Sequence, residues 1–369
     1  MDKIGTVLVR RFKSLKAFQS INTPGRNSSV DIFRSIAIIA VVVFHFNHTL
    51  PFGYIGVDLF FVISGLLIGG LLTKDFKSGK DINFFKFFLQ RGFKIWPSYY
   101  AFIFIGTLIA ICLYRVLSPD LIIPLWDMKR YLFFYQNYTG GPFHWCFDHV
   151  WSLCVEEHFY IMLPILFLII QNFIKPESRL KALFIFVVLT IIAGILFKNF
   201  SFYFTHSKDT YSATHNRIDA LAWGVLLNLI ISYHSEKIKS FQVKIISFVA
   251  GVLLFVIALW AFIHFNNVIF QKIYFHSLLP LSFFLMLLGS YFIDFTKLKP
   301  LRFIAYYSYN WYLWHPLFVV FITHYMGDTK GGLTVYLVFT FIVAVIATIL
   351  IEETVLSKRK TVIEKIFKS

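Results

Sequence analysis

The sequence predicts an all-α integral membrane protein with about ten transmembrane helices and both termini in the cytoplasm. Of its 369 residues, 58% are hydrophobic and only 15% are charged, whereas about 25% of the residues of an ordinary soluble domain are charged. Ten apolar segments are each long enough, at roughly 17 to 25 residues, to cross a bilayer. Lysine and arginine concentrate between alternate segments, which is the positive-inside pattern. This composition excludes disordered, collagen-like and disulfide-scaffold proteins.

Residues 1–30 are a basic segment that we expect to lie in the cytoplasm. They contain no long apolar run and no small-residue cleavage site, so they are not a secretory signal. Ile4, Leu8, Leu15 and Phe18 fall near helical spacing. The sequence is compatible with an amphipathic helix on the membrane surface and equally with a flexible tail.

The membrane domain is predicted over residues 31–353, and a basic cytoplasmic tail over 354–369 follows it. Between the second and third spans, residues 83–94 have a polar and an apolar helical face and predict an interfacial amphipathic helix. The long aromatic stretch 117–150 faces outward, and Cys146 and Cys154 near its end could be bridged or reduced. We expect the ten helices at 32–50, 55–73, 96–116, 155–173, 181–198, 217–233, 245–264, 277–294, 304–324 and 334–352.

The formal net charge of +16 would suit a nucleic-acid partner. However, the basic residues lie in short clusters between apolar runs, as membrane topology requires, and we expect membrane lipids rather than nucleic acid around the chain. The twelve histidines show no spacing typical of metal ligands. We therefore predict no metal site.

Ionisable residues inside spanning segments are costly and mark functional sites. Arg34 and His45 lie in the first span, with Asp31 just before it. Eleven positions separate Arg34 from His45, so the two lie about 16 Å apart along a helix and on nearly the same face. They could line a polar interior. The alternative is that Arg34 extends to the membrane surface and that His45 is a hydrogen-bonded core residue with a structural role only.

The second and third spans supply further candidates. Asp58 is a carboxylate in the second span, where Gly65 and Gly69 allow close packing on a neighbouring helix. Arg91 and Lys94 lie one helical turn apart just before the third span. This pair suits a phosphate-bearing ligand, although positive-inside topology alone would place the same residues there.

Later spans carry polar residues at their ends. The segment HVWSLCVEEHFY, residues 149–160, crowds several of them into three turns, and RIDALAWG opens the sixth span. The segment YSYNWYLWHPL places a histidine in the ninth span. The candidates in these segments are Trp151, Ser152, Glu156, Arg217, Asp219 and His315.

Taken in order, these segments resemble the acyltransferase-3 family of bacterial membrane acyltransferases. The resemblance covers about residues 28–352. The matching segments are DIFRSIAIIAVVVFHF, GYIGVDLFFVISGLLI, RGFKIWPSYY, HVWSLCVEEHFY, RIDALAWG and YSYNWYLWHPL. Each segment alone is a weak signal, whereas six in order on ten spans are specific.

The resemblance implies transfer of an acyl group, most often acetyl, from cytoplasmic acyl-CoA to a hydroxyl of an extracytoplasmic glycan or lipid-linked saccharide. It implies a multi-pass protein of the bacterial inner membrane that uses acetyl-CoA as a donor substrate and holds no permanent cofactor. The acceptor is left open among lipopolysaccharide, capsule, exopolysaccharide and smaller glycosides. Because the chain stops soon after its tenth span, we expect a member without the C-terminal esterase-like domain that some relatives carry.

By the same resemblance, His45 is the catalytic histidine and Arg34 its partner in the R-x10-H pattern. Arg91 and Lys94 match a pair that holds the donor, and Glu156 matches the glutamate of the WSLxVE motif. The family usually has a second arginine at the position of Lys94. Lysine keeps the charge there but loses the bidentate fork.

The chemistry predicted is proton abstraction from an alcohol by neutral His45. A carboxylate, either Asp58 or Glu156, would orient its imidazole. A donor such as Arg217, Trp151 or Ser152 could stabilise charge on the thioester oxygen.

We expect Asp31, Asp219 and His315 to support this site. A flippase or transporter of a lipid-linked glycan is the main alternative, although the chain lacks paired broken helices in two equivalent halves. A membrane scaffold or receptor is a second alternative, but it has no need of the intramembrane charges.

Overall fold

The computed structural model of the protein describes residues 16–78, 82–117, 128–139, 146–205 and 210–367. Every element within these ranges is helical, which confirms the predicted all-α fold. The predictions for Ile4, Leu8 and Leu15, and for part of the long aromatic loop, lie outside the described residues.

Fourteen α-helices occur in the described residues. The first seven are α1 (Lys16–Ile21), α2 (Ser28–His45), α3 (Gly56–Lys77), α4 (Phe84–Leu117), α5 (Lys129–Leu132), α6 (Trp151–Phe173) and α7 (Arg179–Phe204). The others are α8 (Ile218–Ile238), α9 (Phe241–His264), α10 (Phe275–Ser290), α11 (Lys299–Trp314), α12 (Val319–Met326), α13 (Lys330–Ala347) and α14 (Glu353–Phe367).

In the described part of the chain, nine helical segments are long and apolar enough to cross a membrane. The sequence predicted ten. The predicted span 304–324 is not among the nine; it is helical, but a 3-10 turn, His315–Phe318, separates α11 from α12. Pro316 lies in this turn, and proline has no N–H to continue an α-helix. The side of the membrane on which the termini lie stays a prediction.

One further prediction differs from the structure, and one open alternative is decided. Residues 83–94 are not a separate helix, because α4 runs without a break from Phe84 through Pro97 to Leu117. Cys146 and Cys154 are thiols and form no disulfide. The Cys154 thiol donates to Gln136 Oε1 at 2.7 Å, and burial raises the pKa of the Cys146 thiol, so neither is poised for oxidation.

Helix α3 is the centre of the bundle and contacts α2, α6, α8 and α10. Its closest approach is to α8, where a Cβ on Gly65 would lie 1.9 Å from the Leu221 carbonyl oxygen. A Cβ on Gly224 of α8 would lie 2.0 Å from the Val62 carbonyl oxygen. The predicted close packing through Gly65 is therefore confirmed. It brings the polar residues of α3 and α8 within contact distance of each other.

We expect Gly65→Ala to lower the free energy of unfolding by about 1–3 kcal/mol, because the added methyl group must push α3 and α8 apart. The thermal unfolding midpoint of the purified protein in detergent measures the effect. Gly331→Ala is the matched control, since a Cβ there meets nothing closer than Thr329 Oγ1 at 3.6 Å. Equal midpoints for the two variants would contradict the close contact.

Candidate functional site

Three histidines from distant parts of the chain meet at one end of the bundle. His45 ends α2, His149 lies in the turn before α6, and His315 lies at the break after α11. The ring centroids of His45 and His315 are 4.8 Å apart, and those of His149 and His315 are 5.5 Å apart. The break in the ninth predicted span thus places a histidine beside His45.

A backbone carbonyl fixes the tautomer of each histidine. Val41 O lies 2.8 Å from His45 Nδ1, Leu313 O lies 3.1 Å from His149 Nε2, and Trp311 O lies 2.9 Å from His315 Nδ1. A carbonyl oxygen can only accept, so these three nitrogens carry the protons. In a neutral ring the other nitrogen then has a free lone pair, which for His45 is Nε2.

His45 and His149 line a large cavity, which we call the histidine cavity. Its volume is about 950 Å³. Aromatic and polar side chains make up most of the remaining wall, including Tyr54, Asp148, Trp151, Tyr211, Lys272 and His276. A cavity of this size, with a few polar groups among aromatic rings, fits a ligand of the size of a sugar unit or larger.

A second, smaller cavity of about 80 Å³ adjoins the first, and we call it the arginine cavity. Val57 and Tyr312 line both cavities. Arg34 lines the arginine cavity and donates from Nη2 to Ser308 Oγ at 3.1 Å. Arg34 and His45 therefore belong to adjoining cavities, about 16 Å apart along α2.

Glu156 faces Arg34 across the arginine cavity. Its two carboxylate oxygens accept hydrogen bonds from Ser64 Oγ at 2.6 Å and from the Tyr160 hydroxyl at 2.8 Å. Ser152 lies one turn earlier on α6 and is hydrogen-bonded to the Tyr312 hydroxyl at 2.7 Å. One face of α6 thus carries a polar group in each of its first three turns.

This polar face extends about 12 Å along α6 from Ser152 to Tyr160, beside which Arg91 of α4 lies. The Arg91 guanidinium carbon is 5.9 Å from the centroid of the Tyr160 ring. Lys94, in contrast, forms an ion pair with Glu352, which also accepts from Asn310 Nδ2 at 2.8 Å. Arg91 and Lys94, the two cations expected to bind the donor, are therefore not equivalent to each other, because Glu352 already neutralises the charge of Lys94.

Four buried charges lie beside the histidine cavity. Arg217 pairs with Asp58, and Lys198 Nζ donates to Asp219 Oδ2 at 2.5 Å. Their side chains are at most 1% exposed. The Arg217 guanidinium lies 5.0 Å from the ring centroid of Tyr211, which lines the cavity. We call these four residues the charge cluster.

The structure corrects one expectation, that a carboxylate orients His45. Asp58 is paired with Arg217, and the Val41 carbonyl takes the place at His45 Nδ1 that we expected a carboxylate to hold. Asp58 holds the Arg217 guanidinium beside the Tyr211 ring. The sequence could not reveal this pairing, since 159 positions separate the two residues.

Two of the remaining predicted residues line these cavities, and Asp31 does not. Trp151 lines the histidine cavity and Ser152 the arginine cavity. Asp31 lies apart from both, where it pairs with Arg26 at 2.8 Å and with Arg302 at 3.0 Å. It joins the start of α2 to α11.

Several residues of the site were not singled out from the sequence. Tyr160 could have been found, because it follows Glu156 by four positions and Ser152 by eight, which is one face of a helix. The others carry no local signal, because their partners are distant in the chain. They are Lys198, Tyr312 and Glu352.

The comparison with known proteins decides the family. A family model described as an acyltransferase domain matches residues 27–353. The chain belongs to the acyltransferase-3 family. This confirms the resemblance seen in the sequence and shows that the family region contains both cavities and the charge cluster.

Two curated relatives of this acyltransferase-3 chain come from Staphylococcus aureus. O-acetyltransferase OatA of strain NCTC 8325 / PS 47 is 26% identical in an alignment 365 positions long, gaps included, that covers 91% of this chain and 58% of OatA. A protein of strain COL with the provisional name of an O-acetyltransferase is 28% identical in an alignment 341 positions long that covers 84% of this chain and 53% of that protein. The chain thus spans little more than half the length of these relatives. No solved structure matches it.

Proposed function

We propose that the protein is a membrane O-acyltransferase that moves an acetyl group from acetyl-CoA to a hydroxyl of a glycan or lipid-linked saccharide. The observation that carries this proposal is the environment of His45. Its Nδ1 proton is held by the Val41 carbonyl, and its ring lines a cavity of about 950 Å³ beside two further histidines. An imidazole fixed in this way presents a basic Nε2 to a hydroxyl group.

In the proposed reaction, His45 Nε2 takes the proton of the acceptor hydroxyl as its oxygen attacks the thioester carbonyl. A carbon–oxygen ester bond forms and the carbon–sulfur bond breaks. The imidazolium then gives its proton to the departing thiolate, so that CoA leaves as the thiol. Negative charge on the carbonyl oxygen during attack is stabilised by a hydrogen-bond donor in the arginine cavity, for which we propose the Arg34 guanidinium, since its Nε has no hydrogen-bond partner.

The two substrates approach from opposite ends of the bundle in this proposal. Arg91 lies at the end that the distribution of basic residues predicts to be cytoplasmic. From Tyr160, which lies under Arg91, to Ser152 is about 12 Å along α6. The extended arm of acyl-CoA could follow this polar face and bring its thioester to the arginine cavity, while the acceptor occupies the histidine cavity.

The test is transfer of labelled acetyl from acetyl-CoA by purified protein in lipid vesicles. We expect alkali-labile label on an added glycan or lipid-linked saccharide, identified by mass spectrometry. Movement of a lipid-linked saccharide across the vesicle membrane without acetyl-CoA, and with no ester formed, would instead identify a flippase.

We expect Arg91→Ala to weaken acetyl-CoA binding by about 1.5–3 kcal/mol, or roughly ten- to a hundredfold, because a charge-assisted contact to phosphate is lost. The dissociation constant measured by titration gives the effect. Lys74→Ala removes an exposed cation from the end of α3 and serves as the control. Unchanged affinity in Arg91→Ala would assign this residue to membrane topology alone.

A further inference from the structure

The C-terminal helix α14 forms one wall of a groove next to Arg91. It begins at Glu353, where the family match ends, and packs against α4. Ile363 anchors it there, since only 6% of this residue is exposed. The groove between the two helices has a volume of about 480 Å³. Its polar lining residues are Lys86 and Gln90 of α4 and Arg359, Lys360 and Glu364 of α14.

The groove is strongly basic. Its charged lining residues are three cations, Lys86, Arg359 and Lys360, and one anion, Glu364, a net charge of +2. Arg91 follows Gln90 directly and lies close enough to Arg359 for the two charges to repel each other. Within the described residues, none of these four cations forms an ion pair. Cations that outnumber the carboxylates around them and form no ion pair favour an anionic ligand.

The groove supplies what Lys94 does not. Because Glu352 neutralises Lys94, Arg91 needs a second cation from elsewhere to hold a polyanion. Arg359 provides one, and its planar fork can bind a phosphate bidentately. It comes from a helix that the family match does not include, so this part of the site belongs to this chain and not to the family pattern.

We propose that this groove binds the phosphate groups at the nucleotide end of the coenzyme A donor, with Arg359 and Lys360 of α14 as ligands. This inference rests on the proposed function for the identity of the donor. Phosphates seated here direct the rest of the molecule past Arg91 and Tyr160, toward the polar face of α6. The C-terminal helix is then part of the donor site.

The test compares two double variants of the full chain. R359Q/K360Q removes two charges from the groove. K358Q/K365Q removes two charges from the opposite face of α14, since at 3.6 residues per turn these side chains lie about half a turn away from the groove. Both pairs of side chains are exposed, so we expect equal thermal unfolding midpoints.

The probe is coenzyme A itself, titrated against protein in nanodiscs of phosphatidylcholine. We expect R359Q/K360Q to bind it about tenfold more weakly, because two exposed charge contacts are each worth a factor of a few. K358Q/K365Q should bind it as the unchanged protein does. Pantetheine, which lacks the phosphates, should bind all three proteins alike. Equal coenzyme A affinity in both double variants would overturn the proposal.

The phosphate of an anionic lipid shares the chemistry of the ligand, so a second arm adds phosphatidylglycerol in equal parts to the nanodiscs. A loss of coenzyme A affinity in R359Q/K360Q that appears only with this lipid would show that the groove binds lipid headgroups, and it would overturn the proposal.

The single variant R359Q should show part of the loss of coenzyme A affinity in nanodiscs of phosphatidylcholine alone. These measurements require no turnover. Coenzyme A binding that depends on Arg359 in a protein without acyl transfer would refute the proposed function and leave the groove in place.

Discussion

His45→Ala is expected to slow acyl transfer at least about a hundredfold while acetyl-CoA binding stays close to that of the unchanged protein. General-base catalysis by a positioned imidazole contributes about that factor or more. Donor binding is spared because Arg91 and the residues of the basic groove do not line the cavity that His45 lines. The initial rate of transfer from labelled acetyl-CoA and the dissociation constant of coenzyme A are the two measurements.

His264→Ala is the control for this prediction, because His264 is an exposed histidine at the end of α9. Near-normal transfer by stable His45→Ala protein would remove His45 from the mechanism. A fall in thermal stability and donor affinity along with the rate would give His45 a structural role. A flippase would show altered saccharide movement with no dependence on acetyl-CoA.

Asp58→Ala is expected to lower the free energy of unfolding by about 3–5 kcal/mol. The substitution leaves Arg217 buried beside Tyr211 without its carboxylate, and an uncompensated charge in the interior is strongly destabilising. The thermal unfolding midpoint and the yield of folded protein measure the loss. Activity should fall with the amount of folded protein, because Asp58 does not contact His45 in this structure.

Two comparisons show whether the loss of stability in Asp58→Ala comes from the burial of the charge or from the loss of an ion pair as such. Glu236→Ala breaks an ion pair with Lys239 that is half exposed or more on both sides, and we expect at most about 1 kcal/mol. The double variant Asp58→Leu/Arg217→Met replaces the buried pair by apolar groups and should recover much of the stability lost in Asp58→Ala. Equal losses in Asp58→Ala and Glu236→Ala would show that the charge cluster is not sealed from water.

The sequence predicted the helical membrane fold well because hydropathy over about twenty residues is a local property. It did not predict the division of segment 304–324, since an average over a window hides a single interruption. Pro316 was visible in the sequence, but prolines also occur inside continuous helices of this protein, at Pro97 and Pro164. Whether a proline interrupts a helix depends on how neighbouring helices pack against it. That packing involves residues distant in the sequence.

The candidate site was predictable, like the fold, only where local helical spacing determines it. Helical spacing placed Arg34 and His45 on one face of one helix, and four-residue spacing would have added Tyr160. Partners were not predictable, because Lys94 meets Glu352 across 258 positions of the chain. A carboxylate was expected beside His45, yet a backbone carbonyl of the same helix turn serves, and every helix offers one.

The charge cluster also constrains the order in which the protein can be made. Asp58 precedes its partner Arg217 by 159 residues. At about 5–20 residues per second, a ribosome needs roughly ten to thirty seconds to cover that distance. During this interval the nascent helix α3 carries in its first turn a carboxylate without its counter-ion. The ion pair, and the close contact of α3 with α8, can form only after α8 has emerged from the ribosome.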